Sequence, residues 1–177
     1  AATRGFAFDE EQVDSYEIGA KFQTDDRKLT LNAALFRTDV GNMQREINQA
    51  STSGVSQSIY NTADAKIEGA EAEVRFAATS NLLFTANVGY VNARYKTVKF
   101  DLTDDNVVNA ADLALDLPRT PKWTYGASII ADFPVGEGAV TGRVSWQHRD
   151  KYAYTDSNFG WITASDNLEA NLAWKNG

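Results

Sequence analysis

One pattern recurs about seven times along this chain and limits what it can fold into. Over segments of about ten residues, apolar side chains alternate with small or polar ones, and short and long connections take turns between the segments. Ile18, Ala20 and Phe22 fall on one parity, with Glu17, Gly19 and Lys21 on the other. The pattern returns as Leu29, Leu31, Ala33 and Leu35 against Thr30, Asn32 and Ala34. It returns again as Phe84, Ala86, Val88 and Tyr90 against Thr85, Asn87 and Gly89, and as Trp123 to Phe133 against Thr124, Gly126, Ser128 and Asp132. Successive side chains on a strand point to opposite faces, so each segment carries one apolar and one polar face. Two architectures satisfy this: a soluble sandwich whose apolar faces meet in a core, or an outer-membrane barrel whose apolar faces meet lipid around a wet interior.

Composition narrows the function classes more than the fold. A chain of 177 residues, 43% hydrophobic and 23% charged, is long enough for an ordered domain and too apolar for disorder. No run of about 18 apolar residues is present, which excludes a transmembrane helix and leaves a membrane barrel open. A net charge of −7 without clustered Lys and Arg argues against nucleic acid. The absence of cysteine removes disulfides and thiolate metal sites. Ala1-Ala2-Thr3-Arg4-Gly5 has no basic region followed by an apolar stretch, so no signal peptide is expected and the chain reads as a piece of something longer.

The first ten or so residues read as the tail of a loop. Strands are expected over about Gln12 to Gln23, Lys28 to Ile47, Ile59 to Phe76, Leu82 to Tyr95, Trp123 to Phe133, Val140 to Tyr152 and Trp161 to Lys175. Asn48 to Ser58 has no periodicity and reads as a loop. In the third strand the apolar parity changes, odd at Ala65 and Ile67 and even from Ala70 to Phe76, which suggests a bulge or bend at Gly69. A long acidic stretch from Lys96 to Lys122 holds a possible short helix at Leu113-Ala114-Leu115. No domain boundary interrupts the chain.

Short connections follow the odd strands and long ones the even strands, the asymmetry of transmembrane barrels. The strands also exceed the usual five or six residues or so of globular sheets. Trp123 and Tyr125 stand at one end of the fifth strand's apolar face and Phe133 at the other. About ten steps of about 3.3 Å, tilted by about 40°, span roughly 25 Å, the height of an outer-membrane apolar band. Repeated at Tyr16 and Phe22, at Phe84 and Tyr90, and at Trp161 and Trp174, this placement points to two aromatic girdles.

Several phrases of the chain resemble the barrels of TonB-dependent outer-membrane receptors. Phe8-Asp9-Glu10-Glu11-Gln12-Val13-Asp14-Ser15-Tyr16-Glu17-Ile18-Gly19-Ala20-Lys21 is similar to a family segment reading acidic residue, short gap, Tyr-Glu-x-Gly-x-Lys. Leu29 to Phe36 resembles the strand that follows, and Met43-Gln44 its usual end. Asn61-Thr62-Ala63-Asp64-Ala65-Lys66-Ile67-Glu68-Gly69-Ala70-Glu71-Ala72-Glu73 resembles Asn-x-Gly-x-Ala-x-x-x-Gly-x-Glu-x-Glu, with Ala63 where Gly is common. Leu117-Pro118-Arg119-Thr120-Pro121-Lys122-Trp123 is similar to the Leu-Pro-Arg-x-Pro opening of the next strand.

The resemblance implies an all-β fold, an antiparallel transmembrane β-barrel of which residues 1–177 supply about seven consecutive strands out of about 22. The plug, the TonB box and the C-terminal strands lie outside this sequence. The implied function is import of a scarce ligand (a siderophore, cobalamin, a saccharide or similar) across the outer membrane of a Gram-negative bacterium. The implied partners are outer-membrane lipid, the parent's plug, TonB through the missing N-terminal region and an unidentified small ligand. Neither enzymatic activity nor a cofactor is implied. The alternatives are a soluble or secreted all-β binding module, such as a carbohydrate-binding sandwich, and a smaller porin-like or autotransporter barrel.

Chemistry beyond transport finds little in the residues. Ser145 and His148 have opposite parity on one strand and cannot converge locally with Asp150, so the single histidine reads as a barrel-surface or interfacial residue. Gly136 to Gly142 lacks the Lys-Ser/Thr of a phosphate loop and reads as a turn. The acids from Asp101 to Asp105 lack the Asp-x-Asp-x-Asp-Gly order of a calcium loop and read as a solvated loop. Glu17, Lys21, Glu71, Glu73, Arg75, Arg143, Gln147 and Glu169 are the lumen-facing candidates, with pairing of Glu71, Glu73 or Arg75 to Arg143, Lys21 or plug residues possible. Tyr152, Tyr154, Phe159 and Trp161 flank the last long loop, either to grip a ligand or to serve the outer girdle. Tyr16, Phe22, Phe84, Tyr90, Trp123, Tyr125, Phe133 and Trp174 are the lipid-interface candidates.

Overall fold

Alternation of this length commits the backbone to strands, and strands must pair to satisfy their amides. The computed structural model describes residues 8–51 and 54–176 and shows how they do so. β1 (Gln12–Gln23), β2 (Leu29–Ser51), β3 (Gly54–Thr79), β4 (Leu82–Val98), β5 (Trp123–Val135), β6 (Gly138–Arg149) and β9 (Ser165–Lys175) form one antiparallel sheet in chain order. One four-residue helix, α1 (Ala110–Leu113), lies between β4 and β5. The strands β7 (Tyr152–Ala153) and β8 (Trp161–Ile162) pair with each other between β6 and β9.

The register carries each face across the whole sheet. Ile18, Leu35, Ala70, Tyr90 and Trp123 stand in one apolar row, and Leu29, Phe76, Phe84, Ile129, Val144 and Ala170 in another. On the opposite face, Lys21, Asn32, Glu73, Asn87, Gly126, Gln147 and Asn167 form a polar row. Among the described residues nothing covers the apolar face: Ile18 is 72% exposed and Leu35 60%. Burying one such side chain is worth about 1.5–3 kcal/mol, so a row of them requires an apolar phase against it. The second sheet that a sandwich would supply is absent among the described residues.

The core lies on the other side and only at the long-loop end. Val40, Met43, Ala63, Ala65, Tyr95, Leu102 and Leu117 bury together, with Ile67, Ala93, Val98, Phe100 and Leu115 against them. Ala63, Ala65 and Ile67 share the face of Glu71 and Glu73, so the apolar side of β3 changes from one face to the other along the strand. That exchange accounts for the parity change, and the bulge expected at Gly69 is absent. Pairing runs without interruption from Phe76 to Lys66 on the β2 side, and the shifts fall at Val40/Met43 and Met43/Gln44 in β2 and at Asp64/Ala65 and Ala77/Thr79 in β3. Below Gly69 the outward face is apolar; above it the chain from 99 to 122 folds onto the inward face and brings its own leucines.

Other expectations need similar correction. Of the loop expected over Asn48 to Ser58, residues 48–51 and 54–58 are strand, because β2 and β3 continue as a long hairpin paired backbone to backbone, and residues 52–53 lie outside the described residues. The helix stands three residues earlier than Leu113-Ala114-Leu115, at Ala110–Leu113, where Asn109 caps it and Asp112 closes the capping box. The last two long strands stop short of Tyr152 and Trp161, which pair in the separate β7–β8 hairpin. The reading of residues 1–7 as a loop tail lies outside the described residues, and 8–11 are indeed not strand.

Candidate functional site

The long-loop end is assembled around an irregularity in β2. Asn42 adopts a φ of 53°, the left-handed region that few non-glycine residues enter. Its amide donates to Asp64 Oδ1 at 2.8 Å, its carbonyl accepts from Asn61 Nδ2 at 2.8 Å, and its Oδ1 accepts from Lys99 Nζ at 2.7 Å. Asn61 also holds the chain before β1, accepting from the Asp9 amide at 2.7 Å and donating to the Asp9 carbonyl at 2.9 Å. The Gln44 amide reaches Glu11 Oε2 at 2.7 Å. Asn61, Gln44 and the acidic segment before β1 are among the residues that carry the family-like wording, and here they lace one joint.

The acidic stretch is folded as well as solvated: Asp104 and Asp105 are exposed, as expected, while Leu102, Asp112 and Leu117 are buried beneath them. Asp112 is buried, and its carboxylate accepts from the amides of Leu102 at 2.8 Å, Thr103 at 3.0 Å and Asn109 at 2.8 Å. Burial pushes its pKa up, but those three amides and the Thr103 hydroxyl outweigh burial and hold it below the usual carboxylate value. Asp101 accepts from the amides of Asp104 at 2.8 Å and Asn106 at 2.7 Å. Oxygen-bearing positions 101, 103, 105, 107, 109 and 112 follow the order of a twelve-residue cation loop, with Asn106 at a φ of 69° where that loop carries glycine. The carboxylates are turned to the loop's own amides, and among the described residues no group of three or more His, Cys, Asp or Glu is placed to hold a metal ion.

The β7–β8 hairpin brings the four loop aromatics together and adds cations that sequence reasoning missed. Arg149 lies 4.9 Å from the ring centre of Tyr152, Arg119 lies 5.2 Å from that of Tyr154, and Lys151 lies 5.2 Å from that of Trp161. Phe159, at the tip, is 79% exposed. The hairpin is tied to the acidic cover by an amide pair, with the Asp116 amide donating to Asn158 Oδ1 at 2.8 Å and Asn158 Nδ2 donating to the Asp116 carbonyl at 2.9 Å. The Arg119 amide donates to the Ala153 carbonyl at 2.7 Å. Arg149 and Lys151 stand just before Tyr152 in the chain, which was a usable signal; Arg119 was visible only as part of a motif read for another reason.

All eight lumen-facing candidates lie on the polar face by register: Glu17, Lys21, Glu71, Glu73, Arg75, Arg143, Gln147 and Glu169. Among the described residues no ion pair joins Glu71, Glu73 or Arg75 to Arg143 or Lys21. Lys21 and Glu73 are separated by Asn32 of the strand between them, and Arg143 is three strands from Arg75.

All eight interface candidates lie on the apolar face. Tyr16, Tyr90, Trp123 and Tyr125 gather toward the long-loop end and Phe22, Phe84, Phe133 and Trp174 toward the tight turns. Tyr90 and Trp123 pack with ring centres 4.6 Å apart, and Trp146 joins Tyr125 at 5.5 Å. His148 shares this face, stacked on Tyr125 with its Nδ1 2.9 Å from Asp166 Oδ1, whereas Ser145 pairs with Ser128 on the opposite face.

This two-faced sheet with a loop-covered end has relatives. The family model described as TonB dependent receptor-like, beta-barrel matches residues 1–176. The chain belongs to that family. It is 26% identical over 164 residues to the probable TonB-dependent siderophore receptor PiuA of Acinetobacter baumannii, covering 87% of this chain and 20% of that protein. Its fold is similar to that of the crystal structure of PiuA, with a TM-score of 0.70 at 19% identity, over 96% of this chain and 23% of that one. It is equally similar to the ferric yersiniabactin uptake receptor FyuA of Yersinia pestis, with a TM-score of 0.70 at 21% identity, over 93% and 22%. The copper transporter OprC follows at 0.69 and 16% identity, over 96% and 24%. The segment therefore spans about a fifth of the length of PiuA. The family is one of Gram-negative outer-membrane transport receptors rather than enzymes, and the antiparallel sheet is a run of receptor-barrel strands. The sandwich and the small self-closing barrel are set aside with that assignment.

Proposed function

We propose that this chain supplies seven consecutive strands of a plugged outer-membrane barrel that imports a scarce metal chelate. The observation that carries the reading is the exchange of faces on β3. Ala70, Ala72, Val74 and Phe76 face outward in line with the apolar rows of the neighbouring strands, and above Gly69 the apolar residues turn inward under a loop cover. In this reading Tyr16, Phe22, Phe84, Tyr90, Trp123, Tyr125, Phe133 and Trp174 form the two girdles. Glu17, Lys21, Glu71, Glu73, Arg75, Arg143, Gln147 and Glu169 line the interior against a plug supplied by the rest of the parent, with TonB acting through that plug. The unpaired edges at β1 and β9 are joined by further strands, because an open edge in lipid leaves amides unsatisfied.

A siderophore-like ligand is favoured over cobalamin or a saccharide. Cations over Tyr152, Tyr154 and Trp161 suit an anionic ligand with flat or aromatic parts. PiuA, a probable siderophore receptor, and FyuA, a ferric yersiniabactin uptake receptor, point the same way. The test is deletion of the parent gene in its source bacterium, followed by radio-iron uptake from a panel of ferric siderophores, with and without TonB. Loss of uptake for at least one, restored by the intact gene only when TonB is present, supports the reading. Unchanged uptake across the panel, with a growth defect on cobalamin or a glycan instead, would replace the ligand class.

A further inference from the structure

One contact crosses the sheet from side to side. Arg45, on the upper part of β2, meets Asp156, in the β7–β8 hairpin beyond β6, with Nε 3.0 Å from Oδ1. Both atoms are shut off from solvent although the side chains are about one-third exposed. Beside them stands Tyr95, only 5% exposed, whose hydroxyl lies against the Arg45 guanidinium and within reach of the Asp156 charge, although none of the three makes a well-aligned hydrogen bond among the described residues. A buried polar cluster whose hydrogen bonds are imperfectly formed is uncommon and calls for an explanation. Tyr95 belongs to the core under the acidic cover, so it is fixed. Asp156 is held differently, on a hairpin tip; the hairpin's further ties are the Asn158–Asp116 amide pair, the Arg119 amide on the Ala153 carbonyl, the Arg119–Tyr154 contact and a two-residue ladder.

A guanidinium and a core-anchored phenol, facing one carboxylate carried on a separate hairpin, form an anion site holding an internal anion. We propose that Arg45 and the Tyr95 hydroxyl bind a carboxylate or comparable anionic oxygen of the incoming ligand, and that Asp156 fills this site until the ligand displaces it and frees the hairpin. The inference rests on the reading of this end as the mouth of a ligand receptor. Displacement moves the tip that carries Phe159, so capture of an anion and rearrangement of the aromatic hairpin become one event. The exchange is close to neutral in contacts, one carboxylate for another, which is what allows a ligand to compete.

The test uses the full-length parent receptor in detergent, with nitroxide labels at Glu46→Cys and Ser157→Cys reporting the distance between β2 and the hairpin tip. Citrate serves as the probe anion, with sodium chloride at matched ionic strength as the reference. The labels are expected to show one narrow, docked distance that millimolar citrate lengthens and chloride does not. D156N lowers the docked population by at least about tenfold, D156E retains it, and R45Q is undocked and indifferent to citrate. A docked distance unchanged in D156N, or a wild-type receptor that answers citrate no more than chloride, overturns the proposal. Heat-modifiable gel mobility separates an undocked hairpin from an unfolded barrel in each variant. Uptake separates the two readings: normal import with labels that ignore D156N and citrate sinks the anion site alone, whereas label shifts in a receptor that imports no siderophore sink the ligand class and leave the site standing.

Discussion

The Phe36 ring on β2 occupies the space that a side chain at Gly69 on β3 would need, and a Cβ there would also meet the Tyr90 carbonyl. The pair sits at the level where the apolar residues of β3 change faces, so it closes the polar face just below the loop-covered core. Gly69→Val is expected to cost about 1–3 kcal/mol by overpacking, read as a lower temperature of gel-mobility conversion in the full-length receptor. Adding Phe36→Ala should recover part of that loss. Additive losses would show that the two side chains are not in contact.

Asn61 joins the chain before β1 to the irregular turn of β2 through the Asp9 and Asn42 main chain. Asn61→Ala removes those bonds and leaves the Asp9 amide and the Asp9 and Asn42 carbonyls without these partners, at about 1–3 kcal/mol locally. Hydrogen exchange should quicken at Asp9 and in peptides spanning Gly41 to Gln44, and hardly change in β5 and β6. Uniform quickening would assign Asn61 a global role instead.

The acidic cover should open in acid. Asp112 is held below its ordinary value of 3.8 in the folded state, so its contribution is present above that value and is lost as pH falls through the lower, folded one. Exchange in residues 99–117 should therefore be slow at neutral pH and rise steeply below about pH 4. Asp112→Asn is expected to loosen the cover at neutral pH and flatten the acid step. Retention of the step in that variant would place the titrating group elsewhere.

The two faces of β5 and its neighbours give opposite expectations for the same charge. Ile129→Arg puts a guanidinium in the middle of the apolar face and should cost about 2–4 kcal/mol if that face meets lipid. Asn87→Arg, on the polar face, should cost little. Folding yield in vesicles compares them directly, and equal losses would contradict the assignment of faces.

Phe159 has no packing role to lose, being 79% exposed. Phe159→Ala should leave stability within about 0.5 kcal/mol while raising the ligand concentration needed for half-maximal uptake. A stability loss with unchanged uptake would make it a structural residue.

The reading of strands, their order of faces and the two groups of aromatics followed from the sequence because alternation is a local property. A residue such as Leu35 or Glu73 is assigned its face by its own strand, whatever the strand pairs with. The same logic failed over residues 48–51 and 54–58, where backbone pairing continues through a mostly polar stretch with no alternation to read. It failed again at Gly69, where a change in what covers the sheet was read as a change in the strand.

What the sequence by itself determined, then, is the two-faced sheet, since period-two patterning fixes side-chain direction without reference to the rest of the chain. Only the tertiary structure decided where that pattern is inverted and which loop residues meet. Arg45 finds Asp156, and Arg119 finds Tyr154, because curvature of the sheet and folding of the cover bring together segments far apart in the chain. No spacing rule encodes such a meeting: the contact depends on the path of every strand between its partners.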